Sequence, residues 1–170
     1  MPIPAYMTIE GESQGDISEG ALSEESVGTL SQEDHEDEIM IEAMEHDIYL
    51  PRDRHSGQPS GQAVHNPLKI TKIFDKSSPL LYNALVSGES LTVEITWYRT
   101  SAEGTQEEYF THTLEGARVV NINAIMPNAL DPAMESFTHM EEVSFSYKGI
   151  TWEHTEGGTE GSTTWGASAE

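Results

Sequence analysis

The seven histidines are the first residues of this sequence that could do chemistry, because imidazole serves both as a metal ligand and as a general base near neutral pH. No two of them have the i, i+4 spacing of a zinc site on a helix, although His46 with Asp47 and His139 with Glu141 could each supply ligands. Exposed or strand-face histidines explain this scatter better than a metal centre. We therefore predict no metal and no cofactor, and a metal-dependent hydrolase is the weakest interpretation. The full set is His35, His46, His55, His65, His112, His139 and His154.

The serine pair Ser77 and Ser78 follows Asp75 and could suggest a nucleophile. Ser78 also precedes Pro79, and a serine before a proline is typical of a helix start, where its hydroxyl accepts from a free backbone amide. We interpret Ser78 as the N-cap of a helix. With no phosphate-binding loop or dinucleotide fingerprint beside it, we predict no catalytic residues and no enzyme.

Aromatic residues recur within the predicted strands and could form a sugar-binding platform. Core packing explains most of them better, because large rings dominate the interior of β-rich domains. A monomeric carbohydrate-binding β-sandwich is nevertheless the main alternative function. The rings concerned are Trp97, Tyr98, Tyr109, Phe110, Phe145, Tyr147 and Trp152.

The charge balance is strongly acidic. Thirty acidic residues oppose eight basic ones, which gives a formal charge of −22 over 170 residues. Nucleic acids and anionic membranes both need Lys and Arg to neutralise phosphate, so we predict neither as a partner. The charge serves solubility, or it tunes assembly with copies of the chain or with a basic cargo.

The sequence has no cysteine, which removes disulfides and thiolate chemistry. The first fifteen residues lack the basic and apolar regions of a signal peptide, and no stretch reaches the roughly 20 apolar residues that span a bilayer. We expect synthesis in the cytoplasm, no membrane insertion, and export only through a dedicated machine.

These residues must be positioned by a mainly β fold. The stretch 68–98 is predicted to form a strand, a helix over Ser78–Ser87 that stops at Gly88, and a second strand from Leu91. Alternation over Ile39–Leu50 predicts a long strand, and its acidic residues Glu42, Glu45 and Asp47 do not share one face, which indicates a bulge or an exposed edge. Glu115–Gly116 is predicted to form a tight hairpin. We predict a small closed β-barrel or sandwich with one flanking α-helix.

Residues 1–156 are predicted to form one domain, and residues 157–170 a flexible C-terminal tail anchored only by Trp165. Inside the domain, residues 51–67 form a long loop with three prolines and two glycines. Loops of this length are usually functional or disordered. Because Arg52 and Arg54 are its positive charges in a very acidic chain, we expect them to pair with carboxylates of a neighbour.

The segment from Ile70 to Leu80 resembles the Hcp family, the tube proteins of the type VI secretion system. Family members carry a K-x-x-D-K-[ST]-[ST]-P segment that leads into their one helix. Similar stretches lie at 6–11, 35–39, 145–147 and 150–152, so the resemblance covers nearly all of the folded chain. The residues that match the family segment are Lys72, Asp75, Lys76, Ser77, Ser78 and Pro79.

The resemblance implies a β-barrel that assembles into homo-hexameric rings, which stack into a hollow tube inside a sheath and behind a spike protein. The tube is then fired to the exterior or into a target cell, and its lumen can hold small effectors. On this basis we expect Arg52, Arg54, Gln58 and Gln62 at a subunit or ring interface, and Glu45 facing the lumen. A ring of six chains would carry six times −22, or −132, so local Arg–carboxylate pairs must overcome repulsion.

Overall fold

The computed structural model describes residues 3–165. Strands dominate this part of the chain. They are β1 Ala5–Gly11, β2 Gly15–Asp16, β3 Ile39–Glu45, β4 Ile48–Tyr49, β5 Val64–His65, β6 Leu68–Ile73, β7 Leu91–Thr100, β8 Gln106–Ile125, β9 Met140–Ser146, β10 Gly149–His154 and β11 Thr159–Thr164. The helices are α1 Glu24–Val27 and α2 Ser78–Ser87, with 3₁₀ turns at Gly28–Leu30, Glu33–His35 and Pro132–Met134.

Pairing in the main sheet follows the order β11-β10-β8-β7-β1-β3-β6-β9, and β8 pairs with β9 as well. The first half of β8 lies between β7 and β10, whereas its second half, from Arg118, pairs with β9. This long strand therefore joins both parts of a sandwich-like fold. The mainly β class with a flanking helix, predicted from the sequence, is confirmed.

The apolar core fills the space between these strands because alternate side chains of each strand point inward. Ile70, Val93, Leu114, Val143 and Phe145 are among its fully buried members. Helix α2 buries Leu81 and Ala84 against this core and packs beside β8. No helix within residues 3–165 combines the length and apolarity that crossing a membrane would require.

The hairpin predicted at Glu115–Gly116 is wrong, because β8 continues through both residues. Gly116 adopts a φ of +59°, and the register opposite β7 shifts at this point, between Leu91↔Ala117 and Val93↔Leu114. A glycine in the left-handed region produces a bulge that bends a strand without reversing it. The bend lets β8 leave β7 and β10 and continue beside β9.

Two other predictions differ from the structure in where an element ends or begins. The strand predicted over Ile39–Leu50 stops at Glu45 and resumes as β4, and its predicted bulge is present where the register with β6 slips between Ile41 and Ala43. The N-cap of α2 is Ser77 rather than Ser78, and the Ser77 side chain does not cap the helix.

The tail predicted to be flexible from residue 157 contains β11, which pairs with β10 from Gly149↔Thr164 to His154↔Thr159. Its threonines favour the extended backbone although they bury little apolar surface. The strand is therefore held by main-chain hydrogen bonds to an open sheet edge. Residues 166–170 lie outside the described part of the chain.

Candidate functional site

The long loop is a structured arm (residues 51–63) that projects between β4 and β5. Its two sides face each other: the Ser60 amide donates to the Pro51 carbonyl at 2.7 Å, and the Asp53 amide donates to the Gln58 carbonyl at 2.8 Å. An isolated bridge joins Arg52 to Pro59. The arm therefore has a defined shape despite its exposure.

Asp53 organises the tip of the arm. Its Oδ1 atom accepts from the backbone amides of His55 and Ser56, both at 2.8 Å, and from the Ser56 hydroxyl. Hydrogen bonds from the amides of Ser56 and His55 lower the pKa of this carboxyl group, because they favour its charged form. The carboxylate thus keeps the neighbouring arginines on a fixed turn.

Arg52 and Arg54 are exposed, and within residues 3–165 neither lies within ion-pair distance of a carboxylate. Four other cations are paired, namely Lys69 with Glu45, Lys72 with Asp75 and Glu141, Lys76 with Glu25, and Arg99 with Glu107. Gln58 and Gln62 are exposed on the same arm. The arm consequently presents two positive charges that no carboxylate within residues 3–165 neutralises.

The base of the arm is held by a root cluster consisting of His46, His65, Tyr147 and Trp165. The Tyr147 hydroxyl lies 2.9 Å from His46 Nε2 and 2.6 Å from His65 Nδ1. Trp165 stacks on His65 with ring centroids 5.4 Å apart, and it meets Tyr147 edge-on. His46 precedes β4 and His65 lies in β5, so one tyrosine contacts both strands of the arm.

Burial shifts the pKa values of the histidines and the tyrosine in and beside the root cluster. It lowers the pKa of His65, and it lowers that of His46 with a further contribution from His65. Desolvation, together with the charge of His46, lowers the pKa of His112 to about 4, and His112 accepts from Trp97 Nε1 at 2.9 Å. Burial raises the pKa of Tyr147 to about 12, so its hydroxyl keeps its proton.

The family segment forms a buried ionic network. Lys72 is fully buried, and its Nζ atom lies 2.5 Å from Glu141 Oε1 and 3.2 Å from Asp75 Oδ1. Ser78 Oγ accepts from Lys72 Nζ and from the Asp75 amide, and it donates to Glu141 Oε1 at 2.7 Å. Ser77 donates both its amide and its hydroxyl to Asp75. These bonds tie β6 and the start of α2 to β9.

Two members of the segment lie at the edge of this network. Lys76 is exposed and reaches Glu25 at 3.8 Å, while its amide donates to Ser26. Pro79 occupies the first turn of α2, where no donor is needed. From the sequence alone, Glu141 is a candidate only as a metal ligand, but the structure places it on the inward side of β9 with Val143 and Phe145. An acidic residue at an inward position was the signal that it needed a buried cation.

The other sequence candidates are dispersed. Glu45 is exposed at the end of β3, with Lys69 at 3.5 Å. The His139 ring packs against Phe74. No group of three or more His, Asp or Glu residues among the described positions is arranged to hold a metal ion. Of the candidate aromatic rings, Phe145 and Tyr147 are buried, and Trp97 and Trp152 pack against the core.

Gly11–Gly15 match the G-x-S-x-G pattern of hydrolase nucleophiles, which the sequence reasoning missed. In that motif the serine lies on a turn between a strand and a helix. Here Ser13 lies in a turn between β1 and β2, its amide donates to Glu89 at 2.9 Å, and no histidine hydrogen-bonds to it within residues 3–165. The geometry does not fit a nucleophile elbow.

A family described as "Type VI secretion system effector, Hcp" matches residues 6–154 of the chain. The chain is 55% identical over 166 residues to the "Major exported protein" of Pseudomonas aeruginosa, which covers 97% of this chain and 96% of that protein. A crystal structure of an Hcp protein superposes with a TM-score of 0.91 at 49% identity, covering 95% of this chain and 97% of the other.

The secreted protein Hcp3 from Pseudomonas aeruginosa superposes with a TM-score of 0.82 at 48% identity, covering 96% and 99% of the two chains. The family match spans most of the chain and includes β6, the Lys72 network, the arm and the first three members of its root cluster. The chain therefore belongs to the Hcp family of the type VI secretion system.

Proposed function

We propose that this protein is a tube subunit of a type VI secretion system, which assembles as hexameric rings that stack into a hollow tube. The protein is made in the cytoplasm and leaves through the type VI apparatus, with the sheath and the spike protein as partners. The single observation that carries the proposal is the preformed arm, which presents Arg52 and Arg54 without a carboxylate partner within residues 3–165 of a chain of charge −22.

The arm suits an interface because its shape is set before binding, which reduces the ordering cost of association. Electrostatic complementarity favours pairing these arginines with carboxylates of another copy, since the rest of the chain is acidic. Exposed Gln58 and Gln62 add polar contacts on the same surface. Attraction within such an arginine–carboxylate pair survives physiological salt, because the paired charges lie closer together than the Debye length of about 8 Å.

Effector carriage is the second part of the proposal. Glu45 is exposed at the end of β3, where a carboxylate in the lumen would attract a basic cargo surface. A Glu45→Lys variant should retain less of a co-expressed effector than the wild type, measured by pull-down from purified rings. Unchanged retention would count against a lumenal role of Glu45.

The ring itself is tested by the native mass of the purified protein, measured by light scattering at low and physiological salt. Six chains of 18.8 kDa give a particle of about 113 kDa, which should appear as a ring in negative-stain images. A strict monomer at every concentration and salt would overturn spontaneous ring formation. It would also favour the carbohydrate-binding alternative.

A further inference from the structure

We propose that the root cluster is a pH-sensitive latch, which holds the arm in place near neutral pH and releases it when its histidines gain protons. The latch concerns the tether of the arm. The effect of the latch on assembly rests on the proposed function, because it assumes that the arm forms the interface between copies of the chain.

The latch depends on which hydrogen bonds the Tyr147 hydroxyl can donate and accept. The hydroxyl has one proton, so it donates to one imidazole nitrogen and accepts from an N–H group of the other. The two nitrogens are His46 Nε2 and His65 Nδ1. If the accepting histidine is protonated, both rings offer N–H groups and the tyrosine proton loses its acceptor. The buried hydroxyl then has two donors around its oxygen and no acceptor for its own proton, which is costly away from water.

The neighbours of the cluster do not offset an added proton. His46 faces His65 and, from β8, His112, and both interactions oppose a second charge. Asp47 favours protonation of His46, but it ranks below burial and His65 among the influences on that pKa. Trp165 brings no charge, and Lys148 directs its side chain against Gly116. Two adjacent imidazolium groups therefore repel in a partly dehydrated site.

The position of the cluster turns this local change into movement of the arm. β4 and β5 pair only at Ile48↔His65 and Tyr49↔Val64, supported by the Asn66 amide bonded to the Asp47 carbonyl at 3.0 Å. A two-residue ladder is too short to persist alone. β4 and β5 form a separate two-stranded sheet, and its side-chain contacts with Tyr147, just after β9, and with Trp165, just after β11, attach it to the main sheet. Loss of these contacts therefore loosens the arm.

Amide hydrogen exchange on the full chain at pH 7.5 and pH 5.0, corrected for the intrinsic effect of pH on exchange, tests the latch. We expect at least a tenfold faster exchange at pH 5.0 for the amides of Asp53, Ser60 and Asn66, with no such change for amides between β6 and β9. Tyr147→Phe should exchange fast in the arm at both pH values. Equal corrected exchange in the wild type at the two pH values would overturn the proposal.

A neutral variant separates the latch from general acid sensitivity. In His46→Gln with His65→Asn, each amide group replaces the ring nitrogen that faces Tyr147 without titrating, so the arm should no longer respond to pH. His139→Gln, which removes a histidine outside the cluster, should respond like the wild type. A response that persists in the double variant would refute the latch. A chain that shows the response but never forms rings would refute the ring proposal alone.

Discussion

Lys72 and Arg52 are both cations in a strongly acidic chain, but their surroundings are opposite. Lys72 is fully buried, with two carboxylates and a serine hydroxyl around its ammonium group. Arg52 is exposed on the arm, without a carboxylate partner among residues 3–165. The first cation stabilises the fold, and the second is placed at the interface that we propose. The difference teaches that pairing within residues 3–165, rather than residue type, distinguishes a charge that stabilises the fold from a charge that we propose for assembly.

The largest loss of stability is expected when the buried cation is removed. Lys72→Met leaves Asp75 and Glu141 buried and unpaired, so the free energy of unfolding should fall by about 3–5 kcal/mol. Chemical denaturation followed by circular dichroism measures this change. Lys76→Met is the control, because it removes an exposed pair worth about 0–1 kcal/mol. Similar losses in both variants would erase the distinction between the two regions.

Lowering the pH should cause a smaller loss of stability. The lowered pKa of His112 means that the unfolded chain binds a proton before the folded chain does, so stability is lost as pH falls below about 6.5 toward 4. For a folded pKa of about 4, this loss amounts to about 2 kcal/mol between pH 7 and pH 5.

Denaturation of His112→Gln at the two pH values measures that contribution. Its glutamine oxygen can accept from Trp97 as the ring nitrogen does, yet it does not titrate. The variant should therefore lose less stability on acidification than the wild type, whereas His139→Gln should match the wild type. An identical pH dependence in all three proteins would show that burial does not hold His112 neutral.

Local features of the fold could be predicted from the sequence. Helix α2 follows from Pro79, the apolar spacing after it and Gly88, all within eleven residues. The bulge in β3 follows from acidic residues that break its alternation. These signals are carried by neighbours in the chain, so no knowledge of strand pairing is needed.

Features that depend on distant partners could not be predicted. Lys72 and Glu141 are 69 positions apart, and His46 and Tyr147 are 101 apart. The family segment was recognised through Lys72, yet its partner on β9 becomes visible only when β6 and β9 are paired. The sequence also predicts a hairpin at Gly116, where β8 in fact continues. A glycine at a turn and a glycine at a bulge look alike in sequence, and only the strand pairing distinguishes them.

Charge reversal on the arm should leave stability nearly unchanged. Arg52→Glu with Arg54→Glu alters exposed side chains without carboxylate partners in the described part of the chain, so the free energy of unfolding should change by less than about 0.5 kcal/mol. Assembly measured by light scattering should nevertheless weaken, because the arm then repels an acidic neighbour.

Lys76→Glu with Arg99→Glu makes the same change of net charge elsewhere on the surface. If both double variants assemble like the wild type, the arm is not the electrostatic contact. If both lose assembly equally, total charge is responsible and the contrast between Lys72 and Arg52 has no bearing on assembly.

The smallest effect on stability is expected at Asp53, which shapes the arm without touching the core. Asp53→Ala removes the acceptor of the His55 and Ser56 amides, so these amides should exchange faster while the unfolding midpoint stays constant. Because the arginines then lose their fixed turn, assembly should weaken although both charges remain. Asp53→Asn, which keeps an oxygen acceptor and removes the charge, is the matched control and should retain most of the assembly. If Asp53→Ala assembles like the wild type despite a mobile tip, the charge of the arm matters and its preformed shape does not.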